Sequence, residues 1–389
     1  MIARTTFSDT IKSIAIYLRE QQSMIEQMIR SVVEIESPSG DEAGSRDVVD
    51  LLARSVSPLA CVESVKRVPV AHLGEHLIIR AFGKGNDQGT LLVGHTDTVH
   101  SRGSLALSPW RVNGNQIYGP GIFDMKANCI LSVAVLQAFD ILKLEPSGPI
   151  TIVLTCDEEI GSHSGWPLLE SIAQTDRPAR ALVLEPPAHG GSVKTARKGT
   201  GMFSMRIAGK AAHAGLEPEK GASAILELAR QTERLHTLNR SGSGITVNVG
   251  VVRGGTRSNV VAAEAEAEID VRFSTLDEAK EIERILLNLK PVDERVKMSV
   301  SGGINRPPLE RTPSVVQLFE KAKGIADALD YDLEEAQVGG ASDGNFLAAM
   351  GIPVLDGLGI RGDGAHAEHE HIERNDIPVR GALLAGLML

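Results

Sequence analysis

Cysteine is scarce in this sequence. The 389 residues include three cysteines, Cys61, Cys129 and Cys156, and no two of them form a Cys-x-x-Cys motif. A small, odd set of this kind argues against a disulfide framework and against a zinc site built from thiolates. We therefore expect these side chains to be small buried hydrophobic groups in a reducing compartment.

Positive charge is also in deficit. Lys and Arg together number 40 whereas Asp and Glu number 50, so the formal net charge is −10. Because phosphate neutralisation supplies much of the affinity for nucleic acid, a chain without a basic run is a poor candidate for a nucleic-acid partner. The acidic excess fits a solvated surface, or carboxylates that are buried together around a cation.

Long apolar runs and a targeting segment are missing from the pattern as well. We find no apolar stretch that approaches the roughly 18 residues needed to span a bilayer. The N-terminal segment carries Asp9 and Lys12 within its apolar pattern and lacks a small-residue cleavage site, so it predicts a helix and not a signal peptide. The expectation is a soluble cytoplasmic protein without a membrane partner.

The segments outside the middle of the chain predict an α/β domain. Residues 8–55 are typical of helices, with Ser8 as the candidate N-cap. Continuous apolar strands then alternate with helices, which indicates a mainly parallel sheet covered by helices. The predicted elements are strands Leu77–Phe82, Thr90–Gly94, Ile150–Cys156, Ala181–Glu185 and Pro353–Leu358, and helices after Lys126, over Val315–Leu329 and from Ile377.

The pattern changes near Lys198. The segments MFSMRIAG, ITVNVGVVRGG and AEAEAEIDVRF alternate strictly between apolar and polar residues, as strands with one solvated face do. Two predicted helices, Gly221–Leu238 and Leu276–Leu289, separate strands in the order strand–helix–strand–strand–helix–strand. This order suggests a small α+β sandwich inserted into the first domain, which resumes near Arg306.

Chemically active side chains follow three predicted strands of the first domain. The three strand ends run into His95-Thr96-Asp97, into Asp157-Glu158-Glu159 and into Glu185. Because ligands of such sheets lie outside the carboxyl ends of the strands, we expect these groups at one edge. Clustered carboxylates repel one another unless a cation lies between them. Imidazole and carboxylate without thiolate fit zinc, with cobalt or manganese as alternatives.

Two further segments have the same character. GPGIFDMKAN places Asp124 in a glycine-rich turn before a helix, and GDGAHAEHEHI carries His366, His369 and His371. For His369 and His371 a solvated loop is the alternative interpretation. Near the first strand end, Asp97 could hold the tautomer of His95 by accepting its other N–H.

These motifs together resemble those of a known family. The set HTD, GxxDMK, DEE, a strand-end Glu and a C-terminal GxxAH is similar to the zinc metallopeptidase family of glutamate carboxypeptidase, acetylornithine deacetylase, succinyl-diaminopimelate desuccinylase and aminoacylase. The glutamate carboxypeptidase branch is the most similar in arrangement. The resemblance implies a zinc exopeptidase-like catalytic domain over residues 1–196 and 305–389, with an inserted lid and dimerisation domain over 197–304.

The resemblance also implies a site for two zinc ions, with cobalt or manganese as substitutes. The two implied ligand sets are His95, Asp124 and Glu185, and Asp124, Glu159 and His366. Asp124 would bridge the ions, Glu158 would be the general base, and Asp97 would orient His95. The family often has a cis peptide bond after the bridging aspartate, here between Asp124 and Met125.

Other implied roles fall mostly in the insert. His213 would reach the site of a neighbouring subunit and stabilise the oxyanion, although a turn histidine is also compatible with simple solvent exposure. Asn259 and Arg272 would contact the substrate carboxylate, with a surface salt bridge as the alternative for Arg272. The remaining implied contacts are Gly340, in the loop GGASDGN, and Arg306. The chain departs from the family where Ala127-Asn128 follows DMK in place of Gly-Gly.

Three functional hypotheses follow from these residues and this resemblance. The first is a dinuclear zinc exopeptidase that releases a C-terminal, glutamate-like residue from a peptide or acylated amino acid. The second is an N-acyl amino acid deacylase, and the third is a non-catalytic metal-binding homologue, against which the retained Glu158 argues. The implied partners are a substrate with a free carboxylate and a second copy of the chain, paired through the insert.

Overall fold

The computed structural model describes residues 6–83, 88–239 and 244–389. The chain divides into two compact units, which we call the large and the small unit. The large unit comprises Met1–Thr195, Arg311–Gln337 and Ser342–Leu389. The small unit comprises Ala196–Glu310 and Val338–Ala341, so it is an insertion into the sequence of the large one.

The elements are numbered in chain order. The helices are α1 (Phe7–Glu20), α2 (Gln22–Val33), α3 (Glu42–Val56), α4 (Ser104–Leu107), α5 (Ala127–Leu142), α6 (Gly165–Asp176), α7 (Ala224–His236), α8 (Leu276–Leu287), α9 (Pro313–Ala328), α10 (Gly344–Ala349) and α11 (Ile377–Met388). The strands are β1 (Val62–Val70), β2 (Gly74–Ala81), β3 (Thr90–His95), β4 (Arg111–Asn113), β5 (Gln116–Tyr118), β6 (Ile150–Thr155), β7 (Arg180–Val183), β8 (Val193–Arg197), β9 (Gly199–Ala208), β10 (Thr246–Gly254), β11 (Glu264–Phe273), β12 (Lys297–Arg306), β13 (Glu335–Val338), β14 (Val354–Leu355), β15 (Gly362–Asp363) and β16 (His371–Glu373).

The main sheet of the large unit has the strand order β1-β2-β6-β3-β7-β14. Strands β6, β3, β7 and β14 run parallel, whereas β1 and β2 extend the sheet as antiparallel strands. Every residue of β3 and β6 is buried, as expected for strands that helices cover. The predicted α/β class with a mainly parallel sheet is therefore confirmed.

The helical N-terminal region differs in detail from its prediction. It forms three helices, α1 to α3, and α1 begins with a capping box in which Thr6 is the N-cap and Asp9 returns the hydrogen bond. The predicted N-cap at Ser8 is therefore wrong, because Ser8 already lies inside the helix. The buried side chains Ile11, Ile14 and Leu18 join the core of the large unit.

One helical segment departs from the expectation that no stretch could span a bilayer. Residues Ile122–Leu142 are long and apolar enough to do so, with a mean hydropathy of 1.5. However, 78% of the most apolar window is buried within the protein. Helix α5 packs against α1, α2, α3 and α11, so we interpret the segment as a core helix of the large unit.

The small unit is an α+β sandwich, as predicted. Its antiparallel sheet has the order β10-β11-β9-β12, and helices α7 and α8 pack against one face. The core between them is built from alternate residues of the strands, including Phe203, Met205 and Ile269, and from helical residues such as Ile282 and Leu286. The strict alternation in the sequence is thus explained by a sheet with one buried and one solvated face.

Candidate metal centre

Three neighbouring strands deliver polar side chains to one edge of the main sheet. Strand β3 lies between β6 and β7, and its parallel register places His95 opposite Thr155. Glu158 and Glu159 follow β6 in a short 3-10 turn, and Glu185 follows β7. Of the side chains that follow these strands, the structure brings His95, Glu159 and Glu185 into two groups of potential metal ligands.

A second, small sheet brings two loops to the same place. Its order is β15-β16-β5-β4. The chain that leaves β5 forms an irregular turn over Ile122–Lys126, in which Asp124 and Met125 have non-helical backbone angles, and the loop between β15 and β16 carries His366. The peptide bond between Asp124 and Met125 is cis, as the resemblance implied.

The side chains form two groups that share Asp124. In the first group, Nε2 of His95 lies 3.2 Å from Oδ1 of Asp124 and 3.5 Å from Oε1 of Glu185. In the second group, Nε2 of His366 lies 3.3 Å from Oδ2 of Asp124 and 3.4 Å from Oε2 of Glu159. The ligand atoms of each group all lie within 4.8 Å of one another. Since the two oxygens of Asp124 face different groups, its geometry is that of a bridging carboxylate.

The orientation of His95 is fixed by Asp97, whose backbone oxygen and carboxylate both lie beside Nδ1 of the imidazole. Nδ1 of His95 lies 2.9 Å from the backbone oxygen of Asp97 and 3.4 Å from its carboxylate. A carbonyl oxygen only accepts, so Nδ1–H donates to it and Nε2 faces the carboxylates. The carboxylate of Asp97 also accepts from the backbone N–H groups of Glu158 and Glu159, both at 3.2 Å, and from Oγ of Ser39 at 2.6 Å.

Burial and the neighbouring charges shift the protonation of the two groups. Burial alone would lower the pKa of His95, but three nearby carboxylates outweigh it and raise this pKa well above its ordinary value. Burial raises the pKa of Glu159 to about 7. The hydrogen bond to Asp124 raises the pKa of His366 to about 9. Burial also opposes the charge of Asp124, yet the two imidazoles lower its pKa below the usual range. Without a metal the groups therefore retain protons that a cation would displace.

One oxygen of the second group indicates that the residues fit a cation. Oε1 of Glu159 is buried and has no hydrogen-bond partner among the residues that the structure describes. A buried carboxylate oxygen without a partner is unfavourable, and a metal ion is the kind of partner that satisfies it. The surrounding donor set consists of imidazole nitrogens and carboxylate oxygens, which suits zinc, cobalt or manganese. The residues present therefore fit two divalent cations.

Glu158 stands on a turn whose backbone is held firmly. It is half-buried and begins the 3-10 turn Glu158–Ile160. On one side, the carboxylate of Asp97 accepts the N–H groups of the turn. On the other side, Asp157 is fully buried and accepts from the backbone N–H of Ser164 at 2.7 Å and of Gly165 at 3.1 Å. These contacts place the residue proposed as base directly beside Glu159 of the second group.

The implied substrate contacts all belong to the small unit. His213 is exposed, and its Nδ1 accepts from the backbone N–H of Gly215 at 3.2 Å. Asn259 and Gly340 are exposed, whereas Arg306 is buried. Arg272 donates from Nε and Nη2 to both oxygens of Asp270, at 2.8 and 2.9 Å. The salt-bridge interpretation of Arg272 therefore has a specific partner.

The remaining histidines of the last loop lie outside both groups. His369 is exposed, and the ring of His371 packs against the ring of Tyr118 with centroids 5.0 Å apart. Asn128, which departs from the family pattern, is buried and links the Asp124 turn to the chain before β15, because it donates to the oxygen of Phe123 and accepts from the N–H of Ile360.

The buried carboxylate of Glu370, beneath the Asp124 turn, was not singled out by the sequence patterns. Its one sequence signal is its place four residues after His366, in the same His- and Glu-rich loop.

Comparison with known proteins agrees with this geometry. Residues 91–389 match the profile of peptidase family M20/M25/M40. Carboxypeptidase G2 from a Pseudomonas species is 27% identical, over 95% of this chain and 90% of that protein. A succinyl-diaminopimelate desuccinylase from Thioalkalivibrio sulfidiphilus is 26% identical, over 93% of this chain and 97% of that protein.

Solved structures share the fold at lower identity. Aminopeptidase PepT from Bacillus cereus superposes with a TM-score of 0.76 at 21% identity, covering 94% of this chain and 98% of that one. A dinuclear metal-binding peptidase of the M20 family from Bacillus subtilis superposes with a TM-score of 0.71 at 14% identity, covering 95% and 98%. Since the family profile covers most of the chain, the protein belongs to peptidase family M20/M25/M40 and is a hydrolytic enzyme.

Proposed function

We propose that this protein is a dinuclear metal-dependent exopeptidase, which hydrolyses an amide bond beside a free carboxylate and releases a C-terminal amino acid. The observation that carries the proposal is Asp124, whose two oxygens face two separate groups of ligands. Glu158 lies next to a ligand of the second group. A carboxylate that two ligand groups share, together with a glutamate next to one of the ligands, supports amide hydrolysis more directly than metal storage.

The first cation would be held by His95, Asp124 and Glu185, and the second by Asp124, Glu159 and His366. When bound, two such cations supply Lewis acidity toward the scissile carbonyl and lower the pKa of a bound water. Zinc is our first choice, and cobalt or manganese remain compatible because the same nitrogen and oxygen donors accept them.

The proton transfers are assigned to Glu158. A carboxylate on this turn can take the proton of the attacking water and return it to the leaving amine. His95 contributes by orientation, because its Nδ1–H donates to the backbone of Asp97 and its Nε2 is directed into the site. The firmly held backbone of the turn keeps Glu158 in one position relative to the ligands.

A second candidate is an N-acyl amino acid deacylase. It is favoured by the desuccinylase relative, whose identity and coverage are close to those of carboxypeptidase G2. Both reactions hydrolyse an amide, so the ligand groups and Glu158 serve either one. The two reactions differ in which side of the amide bond carries the group that the enzyme recognises.

The test is a hydrolysis screen with matched variants. The purified protein is loaded with zinc, cobalt or manganese and offered N-acyl amino acids, acylated glutamates and glutamyl peptides, and the released amine is quantified. We expect metal-dependent turnover that Glu158→Gln lowers by at least about 100-fold, the range of general acid–base catalysis. Glu145→Gln makes the same chemical change at an exposed position of the large unit and is expected to leave turnover unchanged. Equal rates in both variants, or no turnover of any substrate, would sink the proposal.

The roles of the small unit stay proposals of the same kind. We propose that Arg272 and Asn259 bind the substrate carboxylate, with Gly340 and Arg306 nearby, and that His213 acts on the oxyanion of a partner copy. A homodimer through the small unit is supported by its sheet, whose outer strands β10 and β12 have an unpaired edge among the described residues. A monomer in light scattering would remove both the dimer and the proposed role of His213.

We also propose a cytoplasmic location. The sparse cysteines support it, because Cys61, Cys129 and Cys156 are all free thiols in the structure. Fractionation of the source cells would test it.

A further inference from the structure

The side chain of Glu370 is buried in the large unit, with 1% of its surface exposed. Its Oε1 accepts from the backbone N–H of Phe123 at 2.8 Å and of Asp124 at 2.9 Å. Its Oε2 accepts from the backbone N–H of Gly121 at 2.8 Å and from Nε2 of His100 at 2.5 Å. A single carboxylate therefore receives four hydrogen bonds, three of which come from the turn that carries the bridging aspartate.

The turn depends on these bonds because few of its backbone N–H groups donate to other acceptors. The N–H of Ile122 donates to the oxygen of Gly119, and that of Lys126 donates to the oxygen of Gly121. Between them, the N–H groups of Phe123 and Asp124 donate to Glu370, as does the N–H of Gly121 just before Ile122. Gly121 has φ +70°, and a Cβ there would come within 2.5 Å of Thr98. The turn is thus an irregular segment whose shape is held by a buried side chain instead of a regular ladder of hydrogen bonds.

The same carboxylate also belongs to the loop of His366. Glu370 lies four residues after His366, and its own N–H donates to the oxygen of Ala367. Gly364 is in tight contact with it, because a Cβ at Gly364 would lie 3.0 Å from the backbone of Glu370. One residue therefore connects the turn of Asp124 to the loop that presents the histidine of the second group.

His100 extends the connection to a third segment. It lies three residues after Asp97, on the chain that leaves β3 beyond His95, and 17% of its side chain is exposed. Because a carboxylate only accepts, Nε2 of His100 carries the proton and donates to Glu370. The segments that follow β3, follow β5 and precede β16 are thus all tied to one carboxylate.

We propose that Glu370 is a positioning residue of the metal centre, which sets the separation between Asp124, His366 and the segment after His95. This inference rests on the proposed function, since it assumes that the two groups hold cations. It differs from a purely structural role, because a bridging ligand must be held within a fraction of an ångström whereas a stable fold tolerates more. Substitution of a residue that hydrogen-bonds to metal ligands typically weakens metal binding by about 10- to 100-fold.

The test substitutes the acceptor without changing its size. Glu370→Gln leaves one acceptor oxygen and turns an NH2 group toward at least one of the four donors. Glu227→Gln is the matched control, because Glu227 is also a buried carboxylate that accepts two backbone N–H groups, those of Val292 at 2.8 Å and Asp293 at 3.0 Å, but lies outside both ligand groups. Metal-free proteins are titrated with zinc against a chromophoric chelator, and separately with Co²⁺ while its visible absorption is recorded. Circular dichroism and the metal-free melting temperature show whether each variant is folded.

We expect folded Glu370→Gln to bind zinc about 10- to 100-fold more weakly than the wild type and to change the Co²⁺ spectrum, with Glu227→Gln within about twofold of the wild type. Binding within twofold for Glu370→Gln, or an equal loss in both variants, would overturn the inference and leave the proposed function intact. A wild-type protein that binds no metal would overturn the proposed function itself. If Glu370→Gln does not fold, His100→Ala removes one of the four donors, and unchanged zinc affinity in that variant would equally refute the inference.

Discussion

At the scale of single residues, the position of Glu159 favours metal binding but opposes folding. Glu159 is buried deeply enough for burial to raise its pKa to about 7, and one of its oxygens lacks a hydrogen-bond partner within the described part of the chain. Such a carboxylate is unfavourable for folding until a cation satisfies it. Stability and function therefore oppose each other at this position, as they commonly do in active sites.

This opposition gives a prediction for Glu159→Gln. Because the folded pKa of Glu159 is raised above its unfolded value, its contribution to stability is present below about pH 4.5 and is lost as the pH rises through about 7. In chelator, Glu159→Gln has no carboxyl group to ionise at this position and keeps its stability as the pH rises. We therefore expect its melting temperature to equal or exceed that of the wild type at pH 8, and the difference between the two melting temperatures to be smaller at pH 5.5. Zinc binding should fall from two ions to one, measured by titration calorimetry. A variant that melts lower at pH 8 and still binds two ions would contradict this account.

At the scale of elements, α7 of the small unit is joined to the α8–β12 connection by a buried carboxylate. Glu227 is fully buried and accepts from the backbone N–H groups of Val292 at 2.8 Å and Asp293 at 3.0 Å, and from Nε2 of Gln231 at 2.7 Å. Burial opposes its charge, but these hydrogen bonds outweigh burial and lower its pKa. Its stabilisation is therefore present above the unfolded pKa and is lost as the solution becomes acidic.

We expect Glu227→Gln to lower the free energy of unfolding by about 1–3 kcal/mol at pH 7, because a buried donor loses its acceptor. The deficit should shrink at pH 4, because Glu227 of the unfolded wild type, with its ordinary pKa of 4.5, takes up a proton there before the folded carboxylate does. Urea unfolding of the full chain at both pH values measures it. Glu233→Gln, on the exposed face of the same helix, should change little. A deficit that grows toward pH 4 would contradict the linkage.

The buried strands of the main sheet were predictable, whereas β1, the small sheet of β4, β5, β15 and β16, and helix α6 were not predicted. Differences at the ends of the predicted strands have local causes. Strand β6 ends one residue before the predicted Ile150–Cys156, and the predicted strand Pro353–Leu358 forms only as β14. After Leu355 the chain turns away, because Asp356 pairs with Lys194 and Gly357 adopts φ +72°. Apolar runs show where a sheet is buried, but they do not show where a strand leaves its neighbour.

The candidate site was predictable to the extent that a sheet edge determines it. His95, Glu159 and Glu185 could be placed together from the sequence because parallel strands end at one edge. Glu370 could not be placed there, since its partners include backbone N–H groups as far as 249 residues away in sequence. A backbone donor cannot be recognised from the type of residue that carries it. The contact of His95 with the backbone oxygen of Asp97, in addition to its carboxylate, could not be predicted for the same reason.

At the scale of the whole molecule, the net charge of −10 has both of the meanings that the sequence allowed. Most acidic residues are solvated, but the ligand groups gather Asp124, Glu159 and Glu185 around two histidines. Two divalent cations would change the net charge from −10 to about −6, because −10 + 4 = −6. The acidic excess therefore belongs in part to the proposed metal centre.

The two units have separate hydrophobic cores, and both ligand groups lie in the large one. A ligand that binds only the folded state stabilises it by about 2.7 kcal/mol when its concentration is 100 times the dissociation constant. For a unit of this size we expect zinc to raise the melting temperature of the large unit by roughly 5–10 °C, at about 2–4 °C per kcal/mol. Calorimetry in chelator and in excess zinc should show this shift in one of two transitions. His366→Ala, which removes a ligand of the second group, should reduce the shift. Two outcomes would contradict this account. In one, zinc shifts neither transition of the wild type. In the other, zinc shifts the two transitions by equal amounts, and does so in the wild type and in His366→Ala alike.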